Sequence, residues 1–355
     1  MSDFIEIALI SKILLRWYVK NGRVLPWRVS PKDSESGQTP DPYKVWVSEI
    51  MLQQTTVTMV TPYYANFLAK WPQVGDLAAA SLDDVLHAWQ GLGYYSRARN
   101  LHKCSQVVTA EYGGRFPDTE RELRTLPGIG AYTAAAIAAI AFGRKATPVD
   151  GNIERVMARL YAVAEPLPKS KSQIRKHAEA LTPTRRAGDF AQALMDLGAT
   201  VCKPRSADCI ACPLSGACLA HKEHDPARYP LRVPKKARPT RYGVVFWAMR
   251  SDGAVLVRRR PETGLLGGMM EFPTTEWREL AWKDDSWCYW APAAADWDAL
   301  AEPVIHSFTH FRLELTVMRS TVRGGDGKWC HPDDFRDLAL PTVMKKVATA
   351  IVQSS

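Results

Sequence analysis

Residues 125–140 read TLPGIGAYTAAAIAAI. Two glycines, Gly128 and Gly130, flank one isoleucine, and a run of almost entirely small residues follows. Glycine adopts backbone conformations closed to other residues and leaves no side chain above its amide groups, so another group can approach closely. A helix that begins at Ala131 would add the positive end of its dipole at the same place. The stretch therefore predicts an anion-binding turn between two helices.

The residues before this turn also predict a helix. TERELRT at 119–125 has a helical pattern, so residues 119–142 together are typical of a helix-hairpin-helix, which holds DNA backbone without reading its sequence. A plain glycine turn between two core helices is the alternative. The charge balance suits a polyanionic partner, since 46 basic and 37 acidic residues give a net charge of +9.

The length of 355 residues predicts two domains. Helical periodicity with alanine, leucine and valine stripes runs through residues 1–226, which we expect to be all-α. The segment 227–240 is rich in proline and basic residues and is predicted to be an extended linker. Segments such as YGVVFWAM and FRLELTVM alternate with glycine turns in residues 241–355, which predicts a mixed α and β domain.

The first twenty residues include acidic and basic positions and are typical of an amphipathic helix, not of a secretory signal. The longest nearly apolar run, TAAAIAAIAFG, is too short to cross a bilayer. We therefore expect a cytoplasmic protein that does not associate with membranes.

Four cysteines crowd into residues 202–218, separated by gaps of six, two and five residues. A disulfide framework would need an oxidising compartment. Structural zinc usually takes two close-paired ligand sets, and only one close pair is present here. Four thiolates from one short segment also suit one [4Fe-4S] cluster, with a proline after the third ligand. The candidate ligands are Cys202, Cys209, Cys212 and Cys218.

The stretch TPVDGNIERV places Asp150 eighteen residues after Tyr132, beyond a loop with glycine and proline. A helix-hairpin-helix, a Gly/Pro loop and an aspartate in this order resemble the base-excision DNA glycosylases of the endonuclease III superfamily. In members that also cut the strand, a lysine nucleophile stands where this chain has Tyr132. Tyrosine cannot form a Schiff base with a sugar, so the sequence predicts a glycosylase that only hydrolyses.

Further segments narrow the resemblance to one family. LPWR at 25–28, DPYKVWVSEIMLQQT at 41–55 and GLGYYSRARNLHK at 91–103 are similar to MutY-type adenine DNA glycosylases. VLVRRRPETGLLGGMMEFP at 255–273 resembles the Nudix-related C-terminal domain of that family. The resemblance implies a mainly α catalytic region with an iron-sulfur loop, followed by an α+β Nudix-like domain. It also implies a monomer that acts on duplex DNA carrying an adenine mispair.

Breaking the bond to adenine needs an acid that protonates the departing purine and a negative group that steadies the sugar cation. Glu49 stands among apolar residues that should raise its pKa, so it suits the acid, and Asp150 suits the ionised group. By resemblance the family places these two roles at the same positions. Tyr132 and Asn152 match family residues on the sugar side of the pocket.

The target base must leave the duplex before these groups can reach it. By resemblance, Gln54 and Tyr94 enter the helix, and Tyr94 stacks beside the base opposite adenine. The positions around the extruded adenine are Trp27, Arg28, Leu52 and Gln192. A surface glutamine and a core aromatic residue are the alternatives for Gln54 and Tyr94.

The family removes adenine opposite 8-oxoguanine and checks that base with its C-terminal domain. The matching residues are Phe308, Thr309 and His310, where relatives commonly have Phe-Ser-His. Threonine keeps the hydroxyl that could bind the lesion, but its methyl group restricts the rotamer. After GGMMEFPTT the chain lacks the glutamate pair of a working Nudix box, so we expect neither triphosphate hydrolysis nor a nucleotide cofactor.

Two other functions stay open. An endonuclease III-like glycosylase with lyase activity would share the first domain but gives no reason for Tyr132 or for the second domain. A non-enzymatic iron-sulfur DNA-binding redox sensor would explain the charge and the cysteines but leaves Glu49 and Asp150 without a role. The polar segment 29–41 is longer than the family's usual connection between the LPWR and DPYKVW motifs. Whether a repair clamp or a mismatch-repair protein binds this protein stays open.

Overall fold

The computed structural model describes residues 2–233, 237–261, 263–282 and 285–354. The chain divides into two compact units, Met1–Ala79 with Asn100–Pro234 and Ala80–Arg99 with Lys235–Ser355. Residues 80–99 thus group with the C-terminal part of the chain, although their sequence suggests only another piece of the helical region. A long-range contact accounts for this, because the side-chain amide of Gln90 donates to the carbonyl of Leu338 at 2.9 Å.

Helices dominate the N-terminal two thirds of the chain, and side chains just ahead of several helices cap them, as Asp41 does for the amide of Tyr43. Among the described residues, no helix has the length and apolarity needed to cross a bilayer. The α-helices are α1 (Ser2–Asn21), α2 (Pro31–Glu35), α3 (Pro42–Met51), α4 (Val57–Lys70), α5 (Val74–Ala79), α6 (Leu82–Ala88), α7 (Ser96–Tyr112), α8 (Glu120–Leu123), α9 (Ala131–Ile140), α10 (Gly151–Leu160), α11 (Lys171–Leu181), α12 (Ala187–Thr200), α13 (Leu219–Lys222) and α14 (Thr342–Gln353).

The core of the first unit forms between α1, α10, α11 and α12, with Leu14, Ile153 and Phe190 buried among them. The alanine-rich α9 is buried from residue 133 to residue 139. A side chain at Gly188 of α12 would place its Cβ 2.5 Å from the carbonyl oxygen of Ala139, so only glycine fits there. The small residues of α9 therefore serve close packing between helices, because the backbones of α9 and α12 nearly touch.

The turn between α8 and α9 treats its two glycines differently. Gly128 has φ +75°, and an added Cβ would lie 2.6 Å from Cβ of Asn100, so this position requires glycine. Gly130 is the N-cap of α9 with φ −84° and ψ 178°, which any residue adopts, and a Cβ there would meet no atom within 4 Å. The backbone conformation therefore requires glycine at residue 128 but not at residue 130.

The first part of the segment 227–240, which is predicted to be an extended linker, packs against the first unit, and the boundary between the two units falls at residues 234 and 235 within this segment. Tyr229 is buried in the core of the first unit, and its carbonyl accepts a hydrogen bond from Nε of Arg159 at 3.0 Å. The amide of Leu167 donates to the carbonyl of Leu231 at 2.8 Å. The side chains and carbonyl groups of Tyr229 and Leu231 thus attach residues 227–232 to the helices. Residues 234–236 lie outside the described residues.

The described residues of the second unit form a mixed sheet of seven strands. Strands β1 and β6 pair in parallel from Thr240↔Arg312 to Met249↔Thr321, and the other pairs are antiparallel. The strands are β1 (Thr240–Met249), β2 (Val255–Arg259), β3 (Met270–Glu271), β4 (Asp298–Ala299), β5 (Val304–Ser307), β6 (Arg312–Thr321) and β7 (Lys328–Cys330).

Both faces of the central strand β1 are covered. Val245 and Trp247 belong to the cluster that includes Met344 of α14, whereas Val244 and Phe246 pack with tryptophans of the 282–297 segment. This alternation follows from the period of two along a strand. Because successive side chains of β1 face opposite layers and both layers are apolar, β1 is apolar at successive positions.

Candidate active site

A cavity of about 790 Å³ lies within the first unit. Three of its walls come from the end of α3, the beginning of α9 and the beginning of α10. Its lining includes every predicted site residue of this unit outside the cysteine segment, namely Trp27, Arg28, Glu49, Leu52, Gln54, Gly128, Gly130, Tyr132, Asp150, Asn152 and Gln192. The structure thus brings together residues that are up to 165 positions apart in the sequence (192 − 27).

Glu49 lies near the C-terminal end of α3 and is only 7 % exposed. Burial raises its pKa to about 7, and the neighbouring Asp150 carboxylate acts in the same direction. A hydrogen bond with Tyr132 and the charge of Arg28 oppose this rise without cancelling it. The side chain can therefore hold a proton near neutral pH and release it there, which is what a general acid requires.

Tyr132 is the second residue of α9, and the carboxyl groups of both Glu49 and Asp150 act on its pKa. Burial raises its pKa well above the ordinary value, and the charges of Glu49 and Asp150 add to this rise. The phenol consequently stays neutral, and its hydroxyl can donate a hydrogen bond to the Glu49 carboxylate. The Tyr132 hydroxyl is thus hydrogen-bonded to the Glu49 side chain, and it offers no amine that could attack a sugar.

Asp150 is the N-cap of α10, so the fold itself fixes its carboxylate. Oδ1 accepts a hydrogen bond from the amide of Ile153 at 2.7 Å, and Oδ2 accepts one from Nδ2 of Asn152 at 2.9 Å. Burial raises its pKa, while these hydrogen bonds favour the ionised form and oppose the rise. The positive end of the helix dipole also favours a negative charge at this position.

Arg155 orients Asn152 and was missed in the sequence. Its Nη2 donates to Oδ1 of Asn152 at 2.8 Å and to the carbonyl of Gly198 at 2.7 Å. Since the amide oxygen of Asn152 is thereby occupied, the amide nitrogen is directed to Asp150. Nε of Arg155 donates to the carbonyl of Cys202 at 2.8 Å. The spacing of three residues from Asn152 along a helix was the signal that could have identified it.

Arg28 forms an ion pair with Asp196, which the sequence did not reveal. Its Nη1 and Nη2 donate to the two carboxylate oxygens of Asp196 at 2.7 and 2.9 Å, and Nε of Arg23 donates to the same carboxylate at 2.7 Å. The Asp196 side chain is completely buried, so two guanidinium groups compensate its charge. A single aspartate in the otherwise apolar middle of α12 was the available signal.

The four cysteines border one small cavity in the first unit, together with Arg159 of α10. All four are free thiols. Nη1 of Arg159, a buried residue, donates to Sγ of Cys202 at 3.2 Å and to the carbonyl of Lys203 at 2.8 Å. Within the described part of the chain, no group of three or more histidine, cysteine, aspartate or glutamate residues is arranged to hold a metal ion.

A second cavity, of about 310 Å³, lies within the second unit. It is lined by the remaining predicted residues, Tyr94, Phe308, Thr309 and His310. The hydroxyl groups of Tyr94 and Thr309 share a short hydrogen bond, and Tyr94 is 44 % exposed. Phe308 stacks on Trp277 with ring centroids 5.8 Å apart. The loop after β5 and the turn before α7 thus present an aromatic ring, two hydroxyls and an imidazole at one cavity.

Gln54 and Tyr94 share one backbone property. Their φ angles are +57° and +48°, in the left-handed region that residues other than glycine rarely adopt. Gln54 is exposed at the first cavity. Such conformations persist where the surrounding structure enforces them, and they cluster at functional sites.

Two family models match the chain. Residues 47–184 match the HhH-GPD superfamily base excision DNA repair protein, and residues 244–350 match the NUDIX domain. The first range contains Glu49, Tyr132 and Asp150, and the second contains the loop with Thr309.

The chain is 35 % identical to the adenine DNA glycosylase of Rattus norvegicus, over 98 % of this chain and 78 % of that protein. It is 35 % identical to that of Homo sapiens, over 97 % and 74 %. A thermostable thymine-DNA glycosylase covers 63 % of this chain and all of its own, with TM-score 0.56 and 30 % identity. Endonuclease III in a non-covalent DNA complex, at TM-score 0.51 and 22 % identity over 62 % of this chain and 97 % of its own, shares the fold. The chain therefore belongs to the adenine DNA glycosylase family of base-excision repair enzymes.

Proposed function

We propose that the protein hydrolyses the N-glycosidic bond of adenine mispaired with 8-oxoguanine or guanine in duplex DNA, and that it does not cut the strand. The observation that carries this proposal is the pair of buried carboxyl groups in one cavity: Glu49, with a pKa raised to about 7, and Asp150, held by two hydrogen bonds. One can donate a proton and the other can carry a negative charge at the same time, as acid-catalysed glycoside cleavage requires.

Glu49 acts as the general acid at N7 of adenine. The adenine anion leaves poorly, so protonation must accompany cleavage of the bond. Because Tyr132 is a neutral hydrogen-bond donor, it stabilises the carboxylate that Glu49 becomes after it has given up the proton.

Asp150 stabilises the oxocarbenium ion that forms on the sugar. Its two oxygens are fixed by Ile153 and Asn152, so little reorganisation is needed when positive charge develops. With Tyr132 in place of a lysine, the cavity provides no amine for a Schiff base, which supports hydrolysis without a lyase step.

The adenine leaves the duplex to reach these groups, and the cavity of about 790 Å³ has room for a nucleoside. Trp27, Leu52 and Gln192 line it beside the Arg28–Asp196 pair, and Gln54 enters the DNA helix from its rim. In the second unit, Tyr94 stacks beside the base opposite adenine while Phe308, Thr309 and His310 test that base for 8-oxoguanine.

Cys202, Cys209, Cys212 and Cys218 hold one [4Fe-4S] cluster. Four free thiols around one cavity, with a buried guanidinium beside one sulfur, suit thiolate ligands and their negative charge. The protein acts as a monomer on duplex DNA in the cytoplasm. Iron and sulfide analysis together with the visible spectrum tests the cluster, and a colourless protein that contains zinc would contradict it.

A strand-scission assay tests the function. A duplex with one adenine opposite 8-oxoguanine is incubated with the protein and then treated with alkali, beside the same duplex with adenine opposite thymine. We expect cleavage at the mispaired adenine only after alkali, and none with Glu49→Gln. Cleavage without alkali would instead indicate a lyase, and binding without cleavage would favour a redox sensor.

A further inference from the structure

We propose that Arg97 is a positioning residue that holds Tyr94 in the conformation used to enter DNA. This inference rests on the proposed role of Tyr94 in the preceding subsection. Residues 90–95 are called the wedge loop below.

The wedge loop has an unusual backbone. Gly91, Gly93 and Tyr94 have φ angles of +107°, +69° and +48°. The two glycines adopt such angles freely, but Tyr94 does not, so an outside constraint must keep it there. A flexible peptide with these residues would populate many other conformations.

Arg97 supplies this constraint through its guanidinium group. Nη2 donates to the carbonyl oxygens of Leu92 at 3.0 Å and Gly93 at 3.2 Å, the two residues just before Tyr94. The amide of Arg97 donates to the carbonyl of Tyr94 at 2.8 Å. Three successive carbonyls of the wedge loop are thus bonded by one residue.

The guanidinium group also lies near two aromatic rings, that of Trp89 just before the wedge loop and that of Tyr94 within it. Its central carbon lies 5.2 Å from the ring centroid of Trp89 and 5.6 Å from that of Tyr94. The fully buried Trp89 donates from Nε1 to the carbonyl of Gly93 at 3.1 Å. The Arg97 guanidinium group therefore lies within cation–π distance of both the buried indole and the ring of Tyr94.

Burial makes this an unusual place for an arginine. Arg97 is 8 % exposed, and burial lowers its pKa to about 10. The group stays charged at neutral pH, yet little of it is available to a DNA phosphate. A planar fork with fixed donors suits two neighbouring carbonyls and a ring face, which a lysine cannot match.

The consequence for binding is pre-organisation. A wedge that is already ordered loses less conformational freedom when it enters DNA than a mobile loop does. Removing the guanidinium should therefore weaken the binding that depends on Tyr94 and leave general backbone binding unchanged.

The test measures dissociation constants by fluorescence anisotropy in the Glu49→Gln background, which prevents turnover. Two duplexes are compared, one with adenine opposite 8-oxoguanine and one with adenine opposite thymine. The variants are Arg97→Met, Arg97→Lys, Tyr94→Ala and the double variant Arg97→Met with Tyr94→Ala. Lys103→Met removes an exposed positive charge from the same helix and is the matched control.

We expect Arg97→Met to weaken binding of the lesion duplex about tenfold and to leave the thymine duplex within about twofold. In the Tyr94→Ala background the same change should have no further effect. Arg97→Lys should restore only part of the affinity. Equal weakening for both duplexes, additive effects in the double variant, or full affinity with Arg97→Lys would each overturn the inference.

Thermal unfolding of every variant separates misfolding from mispositioning, and Arg97→Lys carries the test if Arg97→Met does not fold. If the protein with native Arg97 and Tyr94 binds both duplexes equally, the proposed function fails and the inference fails with it. A different outcome concerns the inference alone. If the protein with native Arg97 and Tyr94 prefers the lesion duplex, and if Tyr94→Ala abolishes this preference while Arg97→Met preserves it, then only the inference fails.

Discussion

The two cavities put their functional groups under opposite conditions. In the first unit Glu49 is 7 % exposed and the pKa values of Glu49, Tyr132 and Asp150 are all raised by burial. In the second unit Tyr94 is 44 % exposed, and Thr309 and His310 are exposed as well. Bond breaking needs carboxyl groups that water does not screen, whereas reading a base needs donors and rings that the base can reach.

The largest effect should come from Glu49→Gln, because glutamine cannot donate the proton that adenine needs. We expect base release to fall about a thousandfold or more. Single-turnover kinetics on the 8-oxoguanine duplex measures it, and the exposed Glu35→Gln is the control. A rate for Glu49→Gln within a few-fold of that of the native protein would contradict the role of the buried carboxyl groups in bond breaking.

Asp150→Asn should have the next largest effect. Asparagine still presents an oxygen to the amide of Ile153, so the cap of α10 is kept while the charge is lost. We expect a loss of about a hundredfold to a thousandfold in rate at unchanged thermal stability. Asp150→Ala should in addition cost about 1 kcal/mol of stability. If Asp150→Asn unfolds as easily as Asp150→Ala, the aspartate is mainly a cap.

The raised pKa of Glu49 predicts that stability depends on pH. The folded state binds this proton more tightly than the unfolded state, so stability is lost as pH rises from about 4.5 to about 7. This shift in pKa corresponds to a loss of about 3 kcal/mol in the free energy of unfolding. Glu49→Gln should not show this loss, because glutamine does not titrate. Urea unfolding of both proteins at pH 5 and pH 8 measures it. A difference between them that does not change with pH would contradict the burial argument.

The smallest effect should be at Thr309, where an exposed hydroxyl makes one hydrogen bond. Thr309→Ala should reduce the preference for 8-oxoguanine over guanine about fivefold, and Thr309→Ser should keep it, since one such bond contributes about 1 kcal/mol. Excision rates on the two duplexes give the ratio. An unchanged ratio for Thr309→Ala would exclude this hydroxyl from lesion recognition.

Motifs and local patterns predicted much of the molecule. The helical region, the Nudix-like domain and the family were all predicted from short segments, because periodicity and motif spacing are local properties. The prediction also selected eleven residues that the fold places around one cavity. Their individual roles stay predictions.

What the sequence did not reveal depends on contacts between distant residues. Asp196 is one polar residue in the apolar stretch 193–199, and only the fold shows that Arg23 and Arg28 bind it. The grouping of residues 80–99 with the second unit depends on contacts more than 200 positions away, such as the one from Gln90 to Leu338. Tyr229 is buried because a helix surface accepts it, which the proline-rich composition around it concealed.

The close approach of α12 to α9 has a consequence for mutational tolerance. One nucleotide change converts an alanine codon into one for glycine, serine, threonine, valine, proline, aspartate or glutamate. All but glycine add atoms where residues 134–139 are almost completely buried, and glycine costs about 1 kcal/mol in a helix. Almost no amino-acid substitution that a single base change produces at these alanines should therefore be neutral. Substitutions at these positions should therefore reduce repair through loss of stability, without any change in a residue that lines the catalytic cavity.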